Sequence, residues 1–154
     1  MMITRFFLTG LAASALAVAF DGDSFATKFE RLPQAVQETA NAHMGNAFPV
    51  SISSAKGEQG WDYQVNTRLN GKYHDLVIDE KGRLVAVKDE IDLSSIPAPA
   101  KATIEKQAAA SKIMTLEKVT EGEQVSYGAL VKDEAQGTFV QVRVAGDGTI
   151  KPKN

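Results

Sequence analysis

The two histidines, His43 and His74, are the residues best suited to metal binding or general-base chemistry in this chain. They stand 31 residues apart, with no cysteine anywhere to assist them. A zinc site draws on several His or Cys ligands at short spacing, so neither histidine is read as a ligand. His43 lies beside Met44 on an expected helix. His74 falls at a core-facing strand position, where a half-buried structural histidine is the expected role. Ser53-Ser54-Ala55-Lys56 carries the bare Ser-x-x-Lys pattern, but its companion Ser-Asp-Asn and Lys-Thr-Gly elements are missing and the segment reads as a strand. Asp21-x-Asp23 begins like a calcium loop, yet its twelfth position is Leu32 instead of Glu. Asp89, Glu90 and Asp92 cluster before a linker, and Glu121 and Glu123 flank Gly122 in a turn. Carboxylates in such places keep their solvent and lack the environment that general acid–base work needs. Gly146-Asp147-Gly148 follows a strand with no helix opening after it, so it is a turn and not a phosphate cradle. No catalytic residue, metal ligand or cofactor site is expected, and the chain reads as a non-enzyme.

Composition agrees with that reading. Of 154 residues, 44% are hydrophobic and 23% charged, the balance of a globular protein. Lys and Arg number 17 against 19 Asp and Glu, a formal net charge of -2, which gives nucleic acid no electrostatic hold. The absence of cysteine excludes a disulfide framework, a thiolate metal site, a Cys nucleophile and a lipidated N-terminal Cys.

The N-terminus reads as an export signal. Arg5 supplies the positive n-region, and Phe6 to Phe20 (FFLTGLAASALAVAF) is almost wholly apolar. As a helix that run spans roughly 22 Å, short of a ~30 Å hydrocarbon core. A cleaved signal over residues 1–19 fits better than a membrane span, with Ala26 as the later alternative cut. The small-x-small sites are Ala15-Leu16-Ala17, Ala17-Val18-Ala19 and Ser24-Phe25-Ala26. The mature chain is therefore expected in the periplasm or outside the cell, meeting the membrane only through its signal.

The rest of the chain repeats itself. Leu32-Pro33 recurs as Ile96-Pro97 at an offset of 64, and Val36, Ala40 and Met44 match Ala100, Ile104 and Ala108 on one face of a helix. Val50, Ile52 and Tyr63 match Met114, Leu116 and Tyr127. After the Asn70-Gly71 hairpin signal the offset becomes 66: Tyr73, Leu76, Ile78 and Gly82 match Phe139, Val142, Val144 and Gly148. The fold class is α+β, with two tandem repeats at 30–91 and 96–150. Each is a helix followed by a four-stranded antiparallel sheet, with the helices packed on one sheet face. The expected helices are Pro33–Met44 and Ala98–Ala110. The expected strands are Pro49–Ala55, Trp61–Leu69, Tyr73–Asp79 and Leu84–Glu90, then Met114–Thr120, Gln124–Lys132, Thr138–Val144 and a short Thr149-Ile150.

The motifs Leu32-Pro-x-x-Val36, Phe48-Pro49, Tyr63-x-Val65 and Val77-x-Asp79-x-x-Gly82-x-Leu84 resemble the PepSY-like repeat. Ile96-Pro97, Tyr127 and Asp147-Gly148-x-Ile150 form a similar second copy. Two such repeats behind a signal resemble exported bacterial PepSY-like proteins with a beta-lactamase-inhibitor-protein-like fold. The resemblance implies binding or inhibition of another protein, often a peptidase or other hydrolase, and carries no catalytic residues. The name-giving inhibitors are held by disulfides, which this chain lacks.

Strand parity then separates a wet sheet face from the core face. It holds Asp62, Gln64, Asn66, Arg68, Tyr73, Asp75, Phe139, Gln141 and Arg143. Tyr73 and Phe139 are equivalent in the two copies, and aromatics among Arg and polar groups have hot-spot composition. Arg68, Tyr73, Asp75, Phe139, Gln141 and Arg143 are thus the expected protein-binding residues, the partner an envelope or extracellular protein. The alternative is a periplasmic protein that binds a small ligand or metal in a pocket between the repeats.

Overall fold

A computed structural model describes residues 23–57, 60–109 and 111–152. The expected signal over residues 1–19 lies outside them. The helices are α1 (Phe25–Glu30), α2 (Gln34–Met44) and α3 (Ala98–Ala108). The strands are β1 (Phe48–Gly57), β2 (Gly60–Leu69), β3 (Lys72–Asp79), β4 (Leu84–Glu90), β5 (Lys112–Glu121), β6 (Gln124–Lys132) and β7 (Phe139–Ala145). All seven form a single antiparallel sheet in sequence order, β1-β2-β3-β4-β5-β6-β7.

Local chemistry explains the elements. Pro33 and Pro97 sit at the N-caps of α2 and α3, and their carbonyls accept the first helical N–H groups, from Val36 and Gln37 and from Lys101. Neither proline has an N–H to lose there. Asn70 and Gly71 close the β2–β3 hairpin with φ values of 53° and 81°. Positive φ at both central residues is the type I′ turn that matches strand twist. α2 buries Val36 and Ala40 against Val65, Leu76 and Ile78. α3 buries Ala100, Ile104 and Ala108 against Leu116, Ala129, Val131, Val142 and Val144. Both helices therefore cover the same face of the sheet, each over its own apolar cluster.

Three expectations are corrected. α1 was not foreseen: Ser24 caps it by accepting from Thr27 N, and Phe25 and Phe29 stack at 5.5 Å and pack onto the α2 cluster. α3 stops at Ala108, two residues short of the expected Ala110. The second four-stranded sheet is not formed. Among the described residues after β7 only Ile150 bridges back, to Val144, so Thr149-Ile150 supplies one bridge and not a strand. Lys151 still donates its N–H to the Arg143 carbonyl, but Pro152 follows it, and its missing N–H cannot extend a ladder.

One contact recurs in both halves. Thr39 on α2 donates its hydroxyl to the carbonyl of Gly82, 2.6 Å away, and Thr103 on α3 donates to Gly148 at 2.9 Å. The helix backbone comes so close that a Cβ at Gly82 would meet the Ala35 carbonyl oxygen at 2.7 Å, and one at Gly148 the Pro99 oxygen at 2.7 Å. Both glycines also have positive φ, 83° and 87°. Gly82→Ala and Gly148→Ala are each expected to lower the unfolding free energy by roughly 1–3 kcal/mol, the cost of a strained conformation, before the backbone clash is added. Urea denaturation of both variants checks this, and a change within error of wild type would refute the contact.

Candidate partner-binding face

The strand registers define the face opposite the helices. Val65 and Leu76 pair under α2, so Gln64, Asn66 and Arg68 of β2 and Tyr73, Asp75 and Val77 of β3 point the other way. The same alternation adds Ala86, Lys88 and Glu90 of β4, and Glu117, Val119 and Glu121 of β5. It ends with Ser126 and Gly128 of β6 and Phe139, Gln141 and Arg143 of β7. Among the described residues no helix covers this face. Its centre is nevertheless closed: Val119 and Ser126 are each 1% exposed and Lys88 is 5% exposed. With no covering layer, it is long neighbouring side chains on the same face, such as Arg143 bonded to Ser126, that close over them.

The centre is ionic. Asp75, Lys88, Val119 and Ser126 lie in one cross-strand row spanning β3 to β6. The Asp75 carboxylate accepts from Thr67 N at 3.2 Å and from Gln64 Nε2 at 3.3 Å. Gln64 also donates to Asn66 Oδ1 at 2.7 Å, and Asn66 donates to Ser51 Oγ at 3.0 Å. Lys88 donates to Gln64 Oε1 at 3.4 Å. On the far side Arg143 Nε donates to Ser126 Oγ at 2.9 Å, and Nη2 lies 2.8 Å from Glu121 Oε2. Nη2 is buried, and its N–H groups are not aimed at any acceptor, so this last contact is Coulombic without being a good hydrogen bond.

Glu117 occupies the space between these groups by lying over Gly128. A Cβ at Gly128 would meet Glu117 Oε1 at 2.7 Å. Burial pushes the pKa of Glu117 up, against the pull of Lys88 and Arg143. Burial likewise raises Asp75, against the Thr67 N–H and the Lys88 charge, and lowers Lys88 against Glu117 and Asp75. Desolvation wins over pairing at all three, as expected where charges leave water for imperfect partners.

All six residues expected from parity lie on this face, but they do not form one patch. Tyr73 on β3 and Phe139 on β7 are four strands apart, roughly 19 Å at the usual strand spacing. Phe139 and Gln141 sit on the far edge strand, with Phe139 57% exposed. Arg68 and Tyr73 are brought together, with the guanidinium 4.0 Å over the ring centroid. Their aromatic neighbour is Phe48 of β1, which pairs with Arg68 and is 72% exposed. Phe48, Lys88, Glu117, Glu121 and Ser126 were missed. Gly128, a glycine inside a strand, was the available signal, because it marks a close approach. Lys88 and Glu117 gave none, since only the β4–β5 pairing, which sets Lys88 opposite Val119 and Glu90 opposite Glu117, brings them onto one face as neighbours.

His74 is half-buried on the helix side, with Nδ1 2.6 Å from Asp89 Oδ1. A cavity of about 340 Å³ lies by α1 and β1, lined by Asp23, Lys28, Arg31, Ile52, Ser53 and Tyr63 among others. It belongs to the N-terminal half and not to the junction between the halves.

The two raised carboxyls make a pH prediction. Their folded pKa values exceed the unfolded ones, so in that interval the folded state binds protons that the unfolded state has released. Stability from these groups therefore rises as pH falls through the interval and is lost as pH rises above it. Asp75→Asn/Glu117→Gln removes this contribution. Thermal melts from about pH 7 to pH 4, the range reached by raised carboxyls, should show the variant gaining less on acidification than wild type. Asp79 and Asp147 shift downward through backbone hydrogen bonds from Arg83 and from Thr149, but they remain in both proteins and cancel in the comparison.

No family model and no curated protein matches the sequence. Solved structures do match the fold. A protein of Bacteroides eggerthii ascribed to the periplasm superposes with a TM-score of 0.63 at 15% identity, covering 77% of this chain and 85% of that one. A DUF2874 family protein of Bacteroides uniformis gives 0.62 at 15% identity, with the same coverages. A BLIP-like protein of Bacteroides fragilis gives 0.57 at 12% identity, covering 80% of this chain and 85% of its own. The expected periplasmic setting agrees with the first description, and the BLIP-like fold is the architecture that this chain shares.

Proposed function

We propose that the chain is an exported, non-enzymatic protein-binding module that engages an envelope or extracellular protein through the open face of its sheet. The observation that carries this reading is the face itself: seven strands wide, uncovered among the described residues, with a buried ionic centre and a corner where the exposed Phe48 adjoins the half-buried Arg68 and Tyr73. Aromatic and Arg anchors beside desolvated charges are the composition of interface hot spots. A protein loop laid across this face would meet an apolar and cationic corner first, then polar groups already fixed by their own hydrogen bonds. Pre-organisation of that kind lowers the entropy lost on binding. Such a module regulates or inhibits a peptidase or other hydrolase sterically, by filling its cleft. The shared BLIP-like fold supports the reading, and the PepSY-like motifs agree with it.

The tagged mature chain, mixed with envelope extract, is expected to retain a specific protein. Phe48→Ala/Tyr73→Ala should reduce capture at least tenfold, the loss of roughly 1.4 kcal/mol or more from a hot spot. Phe139→Ala alone should change it little. Capture insensitive to the double variant places the interface elsewhere.

The signal cut after Ala19 leaves α1 whole. A cut after Ala26 would delete Ser24, which caps α1, and Phe25, which packs on the core. The intact mass of the exported protein is expected to correspond to an N-terminus at Phe20. A mass matching Thr27 as the first residue would show that α1 is dispensable.

A further inference from the structure

We infer that the Phe48–Arg68–Tyr73 corner receives a carboxylate from the partner, an Asp or Glu side chain flanked by an apolar residue. The inference rests on the protein-binding reading of the same face and specifies the chemistry of its contact.

Arg68 is held ready for such a group. Its guanidinium lies 4.0 Å over the Tyr73 ring, and Nη1 donates to the carbonyl of Gly71 at 3.1 Å. Gly71 belongs to the tight hairpin turn, so this acceptor is fixed by the backbone. No carboxylate pairs with Arg68 among the described residues, and the remaining guanidinium donors have no acceptor. Arg143 on the same face has Glu121 at 2.8 Å, and Lys88 lies in the fields of Asp75 and Glu117. The cations at the centre are thus balanced internally, whereas Arg68 keeps its charge for a ligand.

The geometry selects the ligand. A guanidinium held over a ring and tied to a turn carbonyl has its fork pre-positioned, which suits bidentate pairing with a carboxylate. A phosphate would call for more than one cation. Lys72, next along β3, points to the opposite face and is bound to Asp92 at 2.5 Å. Phe48, opposite Arg68 on β1, offers apolar surface beside the fork, so the acidic residue should be accompanied by an apolar one. The corner is open and lies at the sheet edge, where a free small acid would bury little area. A protein loop buries the corner and continues onto the ionic centre.

Random peptides displayed on phage, selected on the immobilised mature chain, test this. Enrichment of Asp or Glu beside an aromatic or aliphatic residue is expected. The same library selected on Arg68→Glu should lose the acidic preference and gain Lys or Arg. Arg68→Lys should keep the preference while weakening the best peptide roughly tenfold, the loss expected for one charge-assisted hydrogen bond. Arg68 is at the surface, and circular dichroism of each variant confirms the fold. No enrichment of acidic residues on wild type, or the same enrichment on Arg68→Glu, overturns the inference. Should that happen while Phe48→Ala/Tyr73→Ala still abolishes partner capture, the binding face stands and the carboxylate assignment alone falls.

Discussion

Four residue pairs between β4 and β5 turn two half-sheets into one. Lys88 faces Val119, Asp89 faces Lys118 and Glu90 faces Glu117 across this junction, and Val87 faces Thr120. The apolar clusters under α2 and α3 are separate, so the halves are not fused by a common core. Their union depends on this short ladder and on the side chains that cross it. On the helix side Asp89 and Lys118 stand opposite each other, and on the open side Lys88 lies in the field of Glu117. A half of some sixty residues is marginal as an independent core. The pairing also removes an exposed strand edge from each half, which would otherwise invite association with other chains.

The open face inherits its character from the same junction. Lys88 and Glu117 come from different halves, Lys88 buried and Glu117 half-buried at the seam. Burial of this kind is not a source of net stability: a buried ion pair commonly loses to a well-packed apolar pair. All three shifted groups here move toward their neutral forms. Their value lies in holding polar groups in fixed positions on an uncovered surface. Gln64 illustrates this, since its amide donates to Asn66 and Asp75 and accepts from Lys88. The aromatic corner stands outside this network and is anchored separately by a tight turn.

Much of the architecture was legible from periodicity. The Leu32-Pro33 and Ile96-Pro97 pairs located both helix starts, and the Asn70-Gly71 turn located the first hairpin. Strand parity assigned Arg68, Tyr73, Asp75 and Arg143 to the face opposite the helices, because side-chain alternation follows from backbone geometry alone. Position on that face was not legible. Tyr73 and Phe139 are equivalent by sequence offset, and that equivalence places them far apart, because related strands of the two halves lie four places from each other in a single sheet. Helix α1 escaped notice because its apolar residues follow closely on the apolar run of residues 6–20. The missing eighth strand reflects the chain itself, where Pro152 leaves no room for more than a single bridge.

The sequence by itself determined the element order, the faces of each strand, the absence of cysteine chemistry and the glycines at the helix–turn contacts. Each of these is a local property, fixed by residue type and by the 2.0 and 3.6 residue periods. Only the tertiary structure decided that the two halves share a sheet, that Lys88 lies in the field of Glu117, and that Phe48 and not Phe139 adjoins Arg68 and Tyr73. Those facts depend on strand pairing between residues remote in sequence, which no local pattern encodes.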